Sequence, residues 1–237
     1  MLREALEYIV GLRKVDSFAF DGRDYTDHKL HPVMVDLPAP VAVSTLTGFI
    51  DAIGLCLDDH NAEDSFIQVL DHLHVELVSQ NTDPWNRRTT HVRASGPTEN
   101  GFRFDFFYEP EAFIIALQCA FEHSVDLPKL VRTCQALTSE TVATAEDDGI
   151  SQVAILKKGA ALKETAKITP RVTLAPFRTF RELAQPPSEF LFRLRGRDGQ
   201  PPMCALFEAD GGKWKLDAAN KIADYVSSKL LAFKVVQ

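Results

Sequence analysis

The chain has 237 residues, 45% of them hydrophobic and 25% charged, with 12 Gly and 13 Pro. This length and composition suit a folded protein with a real core and exclude collagen-like, low-complexity and largely disordered chains. The net charge of −7 argues against a protein that coats nucleic acid over its whole surface. No apolar run approaches the roughly eighteen residues of a membrane span and no secretion leader is apparent, so a soluble protein without membrane contact is expected.

Leu2 to Lys14 carries Leu2, Leu6, Ile9 and Val10 at helical spacing opposite Arg3, Glu4 and Glu7, which predicts an amphipathic helix. Ser17 to Phe20, the Asp21-Gly22 turn and Arg23 to Thr26 read as a hairpin, followed by an extended stretch closed at Pro38-Ala39-Pro40. Ser44 is the expected N-cap of a helix through Leu46, Phe49, Ile50, Ile53 and Leu57. The period then changes to two. Strands are predicted at Phe66 to Leu70, Leu73 to Val78, Thr89 to Ala94 and Phe102 to Phe107, forming an antiparallel meander. Helices predicted at Pro110 to Glu122 and Pro128 to Leu137, each with proline in its first turn, are expected to cover one face of it.

Thr141 to Ala145, the acidic turn Glu146-Asp147-Asp148-Gly149 and Ser151 to Lys157 make a second hairpin. Arg171 to Ala175 is a further strand and Pro176 to Pro187 an ordered loop. Glu189 to Arg195 and Met203 to Glu208 pair across the turn Gly196-Arg197-Asp198-Gly199. A final helix from about Leu216 places Ile222, Tyr225, Val226 and Leu230 on one face. The expected fold class is α+β, antiparallel sheets with helices packed on one face. The four cysteines, Cys56, Cys119, Cys134 and Cys204, lie in apolar stretches without a CxxC pair and read as reduced core residues of a cytosol-like compartment.

Charge is unevenly spread. Residues 1–150 hold 11 basic and 25 acidic side chains, net −14, and residues 151–237 hold 15 and 8, net +7. The expected organisation is an acidic lobe over 1–150 and a basic lobe over 151–237, or one interleaved domain. Arg171, Arg178, Arg181, Arg193 and Arg195, with Lys213 and Lys215, form the candidate anion-binding set, because the guanidinium fork suits phosphate and carboxylate. The opposed charges equally suit contact between the halves, within a chain or between protomers, which predicts a homo-oligomer.

The C-terminal third contains distinctive words: Ala175-Pro-Phe-Arg-Thr-Phe-Arg-Glu182, Gln185-Pro-Pro-Ser-Glu-Phe-Leu-Phe-Arg193 and Cys204-Ala-Leu-Phe-Glu-Ala-Asp-Gly-Gly-Lys-Trp-Lys-Leu216. With Val43-Ser-Thr-Leu-Thr-Gly48 and Phe113-Ile-Ile-Ala-Leu-Gln118, they resemble a family of uncharacterised proteins encoded by tailed phages and prophages. The resemblance implies an accessory protein acting in the host bacterial cytoplasm, and no activity or site residue comes with it.

Other candidate chemistry is weighed against ordinary structure. His72-x-His74-x-Glu76, joined by His91, could present ligands to a divalent metal from one strand face, or be the solvated face of an amphipathic sheet. Glu208, Asp210 and Lys213 beside Gly211-Gly212 could serve a metal-dependent nuclease or phosphodiesterase, or form a strand-to-helix turn in which Asp210 caps amides and Trp214 is packed. Glu146-Asp147-Asp148-Gly149 lacks the alternating ligands of a calcium loop. Trp85 beside Arg87-Arg88 places an aromatic next to cations. No nucleophile motif is present. The expectation is a non-enzymatic protein without cofactor that self-associates and binds an anionic partner: nucleic acid, nucleotide or an acidic host protein. The alternatives are the nuclease and a self-assembling shell or ring.

Overall fold

The computed structural model describes residues 2–11, 17–20, 23–26, 36–55, 61–98, 101–139, 141–147, 152–158, 162–168, 170–197 and 200–237. The chain forms two compact units, Met1–Leu37 and Pro38–Gln237. In the first, helix α1 (Leu2–Gly11) carries the surface ion pair Arg3–Glu7 one turn apart, at 3.2 Å. Strands β1 (Ser17–Phe20) and β2 (Arg23–Thr26) pair antiparallel, with Ser17 opposite Thr26, as their alternation predicts. The Asp21-Gly22 turn, the far end of the first predicted helix, most of the following extended stretch and Cys56 lie outside the described residues.

The second unit starts with β3 (Val41–Val43) and helix α2 (Leu46–Gly54). The cap of α2 is Thr45 rather than Ser44: the Gly48 amide donates to Thr45 Oγ1 at 3.0 Å. Both residues have the hydroxyl a cap requires, and only the backbone turn decides between them. Strands β4 (Ser65–Val69), β5 (His74–Thr82) and β6 (Arg88–Ser95) form the predicted antiparallel meander. Next come α3 (Pro110–Ala120), the two-residue β7 (Phe121–Glu122) and α4 (Asp126–Ser139). Strands β8 (Thr141–Asp147), β9 (Gln152–Lys158) and β10 (Leu162–Ile168) make a three-stranded antiparallel sheet. Its first two strands are the predicted second hairpin; Asp148 and Gly149 of the acidic turn are outside the described residues.

The remainder is β11 (Arg171–Pro176), β12 (Ser188–Arg197), β13 (Gln200–Glu208), helix α5 (Lys213–Lys229) and β14 (Lys234–Val236). One four-stranded antiparallel sheet runs β13-β12-β11-β7. A five-stranded sheet runs β14-β4-β5-β6-β3, its edge strands parallel to their neighbours and its inner strands antiparallel. The fold class is α+β. Among the described residues no helix is long and apolar enough to cross a membrane.

The four-stranded and the five-stranded sheet each have a core, and each of these two cores draws residues from before and after residue 150. Val172, Leu174, Phe190, Phe192, Leu194, Cys204 and Leu206 meet Phe113 and Leu117 of α3 and Leu127, Leu130 and Cys134 of α4. Ile67, Val69, Val75, Leu77, Val92 and Ala94 meet Leu46, Phe49 and Ile53 of α2, Phe180 and Leu183, and Ile222 and Val226 of α5. Burying each such large side chain contributes about 2 to 3 kcal/mol. The meander is therefore covered by α2 and α5, and α3 and α4 cover the other sheet. Nearness in sequence suggested the opposite, because an apolar stripe does not name the face it will meet.

Phe102 to Phe107 is not a strand. Asp105 adopts φ +57°, and the segment wraps the edge of β13 through Asp105 N to Leu206 O (3.0 Å) and the mutual Tyr108–Cys204 bonds (2.8 Å). Its phenylalanines serve different surroundings: Phe104 stacks on Phe190 at 5.3 Å inside, and Phe107 meets Phe207 at 6.0 Å. Cys119 is exposed, because α3 turns Phe113, Leu117 and Ala120 inward. Cys134 and Cys204 are buried thiols not joined in a disulfide, and their mutual hydrogen bond, with burial, pushes the Cys134 thiol far up.

Asp126 joins α4 to β11. It accepts from Lys129 Nζ at 2.9 Å and from the Thr173 amide at 3.1 Å, and these bonds hold its carboxyl below the ordinary range. A carboxyl depressed in the folded state contributes stability that is complete above its unfolded pKa, about 3.9, and is lost as pH falls through the folded value. Asp126→Asn should accordingly melt below the native protein at pH 7, and the gap should close as the pH is lowered toward 2. A gap independent of pH would mean the carboxylate charge contributes nothing.

Candidate binding cleft and arginine face

The loop between β11 and β12 is organised by one buried side chain. Gln185 Oε1 accepts from the Arg178 and Thr179 amides at 2.9 and 3.2 Å, and its Nε2 donates to Phe180 O at 3.1 Å and Leu183 O at 3.0 Å. Its own amide donates to Glu122 of β7 at 2.9 Å. Thr179 Oγ1 donates to His72 O at 2.6 Å, tying the loop to the β4–β5 turn. The proline-bearing stretch is thus an ordered loop, as expected.

This scaffold buries Arg178, whose side chain is 7% exposed. Nη1 donates to Glu208 and Nη2 to Ser188 Oγ, and the guanidinium lies 3.7 Å from the Trp214 ring centre, with Phe190 at 5.6 Å and Phe104 at 5.9 Å. Burial lowers its pKa to about 10 against the pull of Glu208 and Asp210, so it stays charged at neutral pH. Trp214 is held by the turn leaving β13. Gly211 (φ +64°) and Gly212 (φ +82°) take left-handed conformations that other residues resist, and Asp210 accepts from the Gly212 amide at 3.0 Å and the Trp214 amide at 3.4 Å. His72 meets Trp214 edge-on, ring centres 4.7 Å apart. Burial lowers the His72 pKa, helped by Lys215, His74 and Arg178 against Asp71, so the ring is neutral at pH 7.

Arg178, Trp214, Glu208, His72 and Phe104 line a cavity of about 290 Å³, together with Leu73, Thr98, Phe102 and Phe177. Arg178 Nε and Trp214 Nε1 are buried and have no hydrogen-bond acceptor among the described residues.

The predicted cations divide into groups. Arg178 lines the cleft. Arg181 stacks on Phe177 at 4.3 Å, and Lys213 and Lys215 are exposed in the first turn of α5, Lys215 Nζ 5.8 Å from the Trp214 ring centre. Arg171, Arg193 and Arg195 share the face of the four-stranded sheet that looks away from its core, Arg171 and Arg195 exposed and Arg193 half-buried opposite the buried Ala205. Phe190, Phe192 and Leu194 point into the core, so their neighbours Leu191, Arg193 and Arg195 point away from it, and Arg171 lies opposite Leu191. On that face Arg195 sits 3.8 Å over Phe107, and Arg171 bonds Glu189 at 2.9 Å.

The histidine row does not assemble. His72 precedes β5; His74 Nδ1 bonds Asp71 at 2.9 Å; Glu76 is buried rather than solvated, ion-paired to Arg93 at 2.5 Å; His91 is the extra residue of a β-bulge. No group of three or more His, Cys, Asp or Glu able to hold a metal occurs among the described residues. Of the suggested nuclease carboxylates, Glu208 engages Arg178 and Asp210 caps the turn. Sequence reading missed Gln185, Ser188 and Thr98, and the meeting of His72 with Trp214, since no local spacing relates residues so far apart. Neither family models, curated proteins nor solved structures give a match to this chain.

Proposed function

We propose that this protein is a non-enzymatic binding module that takes single-stranded nucleic acid on the face of the four-stranded sheet that looks away from its core. The observation that carries the reading is the common face of Arg171, Arg193 and Arg195, with Phe107 and Phe207 beside it. Arginines answer phosphates and aromatic rings stack on bases irrespective of sequence. Self-association through the opposed charges of the two halves, and service to a phage or prophage in the host cytoplasm, belong to the same proposal.

The test is fluorescence anisotropy of a labelled single-stranded oligonucleotide in a salt series. Binding should weaken steeply with salt, and the Arg193→Ala, Arg195→Ala double variant should lose about tenfold or more in affinity. Absence of binding at low salt, or indifference to the double variant, would overturn the reading. Capture of an acidic polypeptide in place of the strand would assign the face to a protein partner. Light scattering at low salt should give a defined oligomer; a monomer would refute self-association, and large closed particles would favour a shell.

A further inference from the structure

We infer that the cleft bounded by Arg178, Trp214, Glu208 and His72 binds an uncharged planar heterocycle carrying both carbonyl and N–H groups, the hydrogen-bonding pattern of a nucleobase. The site is separate from the arginine face and uses different residues.

Size and walls come first. A cavity of about 290 Å³ is at the small end of ligand sites, suited to a ring system and not to a long chain. Phe102, Phe104, Phe177 and Trp214 supply the apolar part of its lining, against which a ring can pack.

Hydrogen bonding narrows the class. Buried N–H groups in folded proteins are almost always paired, yet Arg178 Nε and Trp214 Nε1, on two of the residues that line the cleft, have no acceptor among the described residues. They call for ligand oxygens or ring nitrogens. Glu208 supplies the opposite need: its side chain is 40% exposed, and it can accept from a ligand N–H while holding Arg178.

Charge excludes the obvious competitor, a small carboxylate or phosphate. The Arg178 cation is already answered by Glu208 and Asp210, and His72 is neutral at pH 7. A second anion would enter beside the Glu208 carboxylate and be repelled, whereas a neutral ring keeps the existing ion pair intact.

A base can arrive as a free nucleoside or on a strand, and the experiment separates these sources. Calorimetry of the full chain with each of the common ribonucleosides, and separately with a short single-stranded oligonucleotide, gives the affinities. In a Trp85→Phe protein, Trp214 is the remaining tryptophan and its emission reports occupancy of the cleft. The expected result is binding of at least one nucleoside with quenching of Trp214. Binding should weaken about tenfold or more in Glu208→Gln, which loses the charge-assisted acceptor, and in Trp214→Phe, which keeps a ring and loses the N–H. Circular dichroism of each variant establishes that it is folded. Oligonucleotide binding alone, reduced by Glu208→Gln and Trp214→Phe but not by the Arg193→Ala, Arg195→Ala variant, assigns the cleft to a base presented by a strand. Oligonucleotide binding reduced only by the arginine variant overturns the cleft proposal and leaves the sheet-face reading standing. No binding of any probe at about 1 mM also overturns the cleft proposal.

Discussion

Arg178→Ala is expected to cost about 2 to 4 kcal/mol of stability, read as a lower urea midpoint with an unchanged slope. The substitution removes a cation whose stem and plane are enclosed by Trp214, Phe190 and Phe104, and it takes away the donors to Ser188 and Glu208. Glu208 is partly exposed, so water takes over some of what it loses, which places the effect below that of a fully buried pair broken on one side. Arg178→Lys should fall between. It keeps the charge but has neither the fork that reaches two partners nor the plane that stacks on the indole. A loss under about 0.5 kcal/mol in the alanine variant would mean that Arg178 does not hold the β11–β12 loop to α5.

The second large effect is at Gln185. Gln185→Met conserves volume but removes both amide donors and the acceptor of two main-chain N–H groups. Since Arg178 and Thr179 are themselves buried, their amides have no easy recourse to water, and the expected cost is about 3 to 5 kcal/mol in the same denaturation experiment. Because the loop positions Arg178, binding in the cleft should decline along with stability. A Met variant as stable as the native chain would show that the loop finds other partners for these groups.

The sequence makes legible what depends on neighbours along the chain. Alternation located β4, β5, β6, β11, β12 and β13, and helical spacing located α2 and α5, because each contributes a regularly spaced apolar row to a core. Alternation misleads at Phe102, Phe104 and Phe106: the first two pack in the core, but the left-handed Asp105 turns the chain and leaves Phe106 exposed. The short strands β3, β7 and β14 were missed, since two or three residues show no period and their pairing is set from outside. The same division holds for the cleft. Asp210 and the two glycines announce their turn locally, whereas the environments of Arg178 and His72 exist only once β13, α5 and the β4–β5 turn have met. An arginine in a basic stretch reads as a surface charge, and nothing adjacent to Arg178 tells that it is the buried one.

The core of the five-stranded sheet combines residues 46–94 with residues 180–226. During synthesis the meander leaves the ribosome first, and the residues of α5 follow on the order of ten seconds later at ordinary elongation rates. Over that interval Ile67, Val75, Leu77 and Val92 have only α2 to cover them. A nascent chain in this state presents an apolar sheet to its surroundings, and contacts that span so much of the sequence form slowly even after release. The vulnerable period of this protein is therefore its biogenesis, when recovery of soluble material depends on chaperone capacity and on the pace of translation through the third that supplies α5.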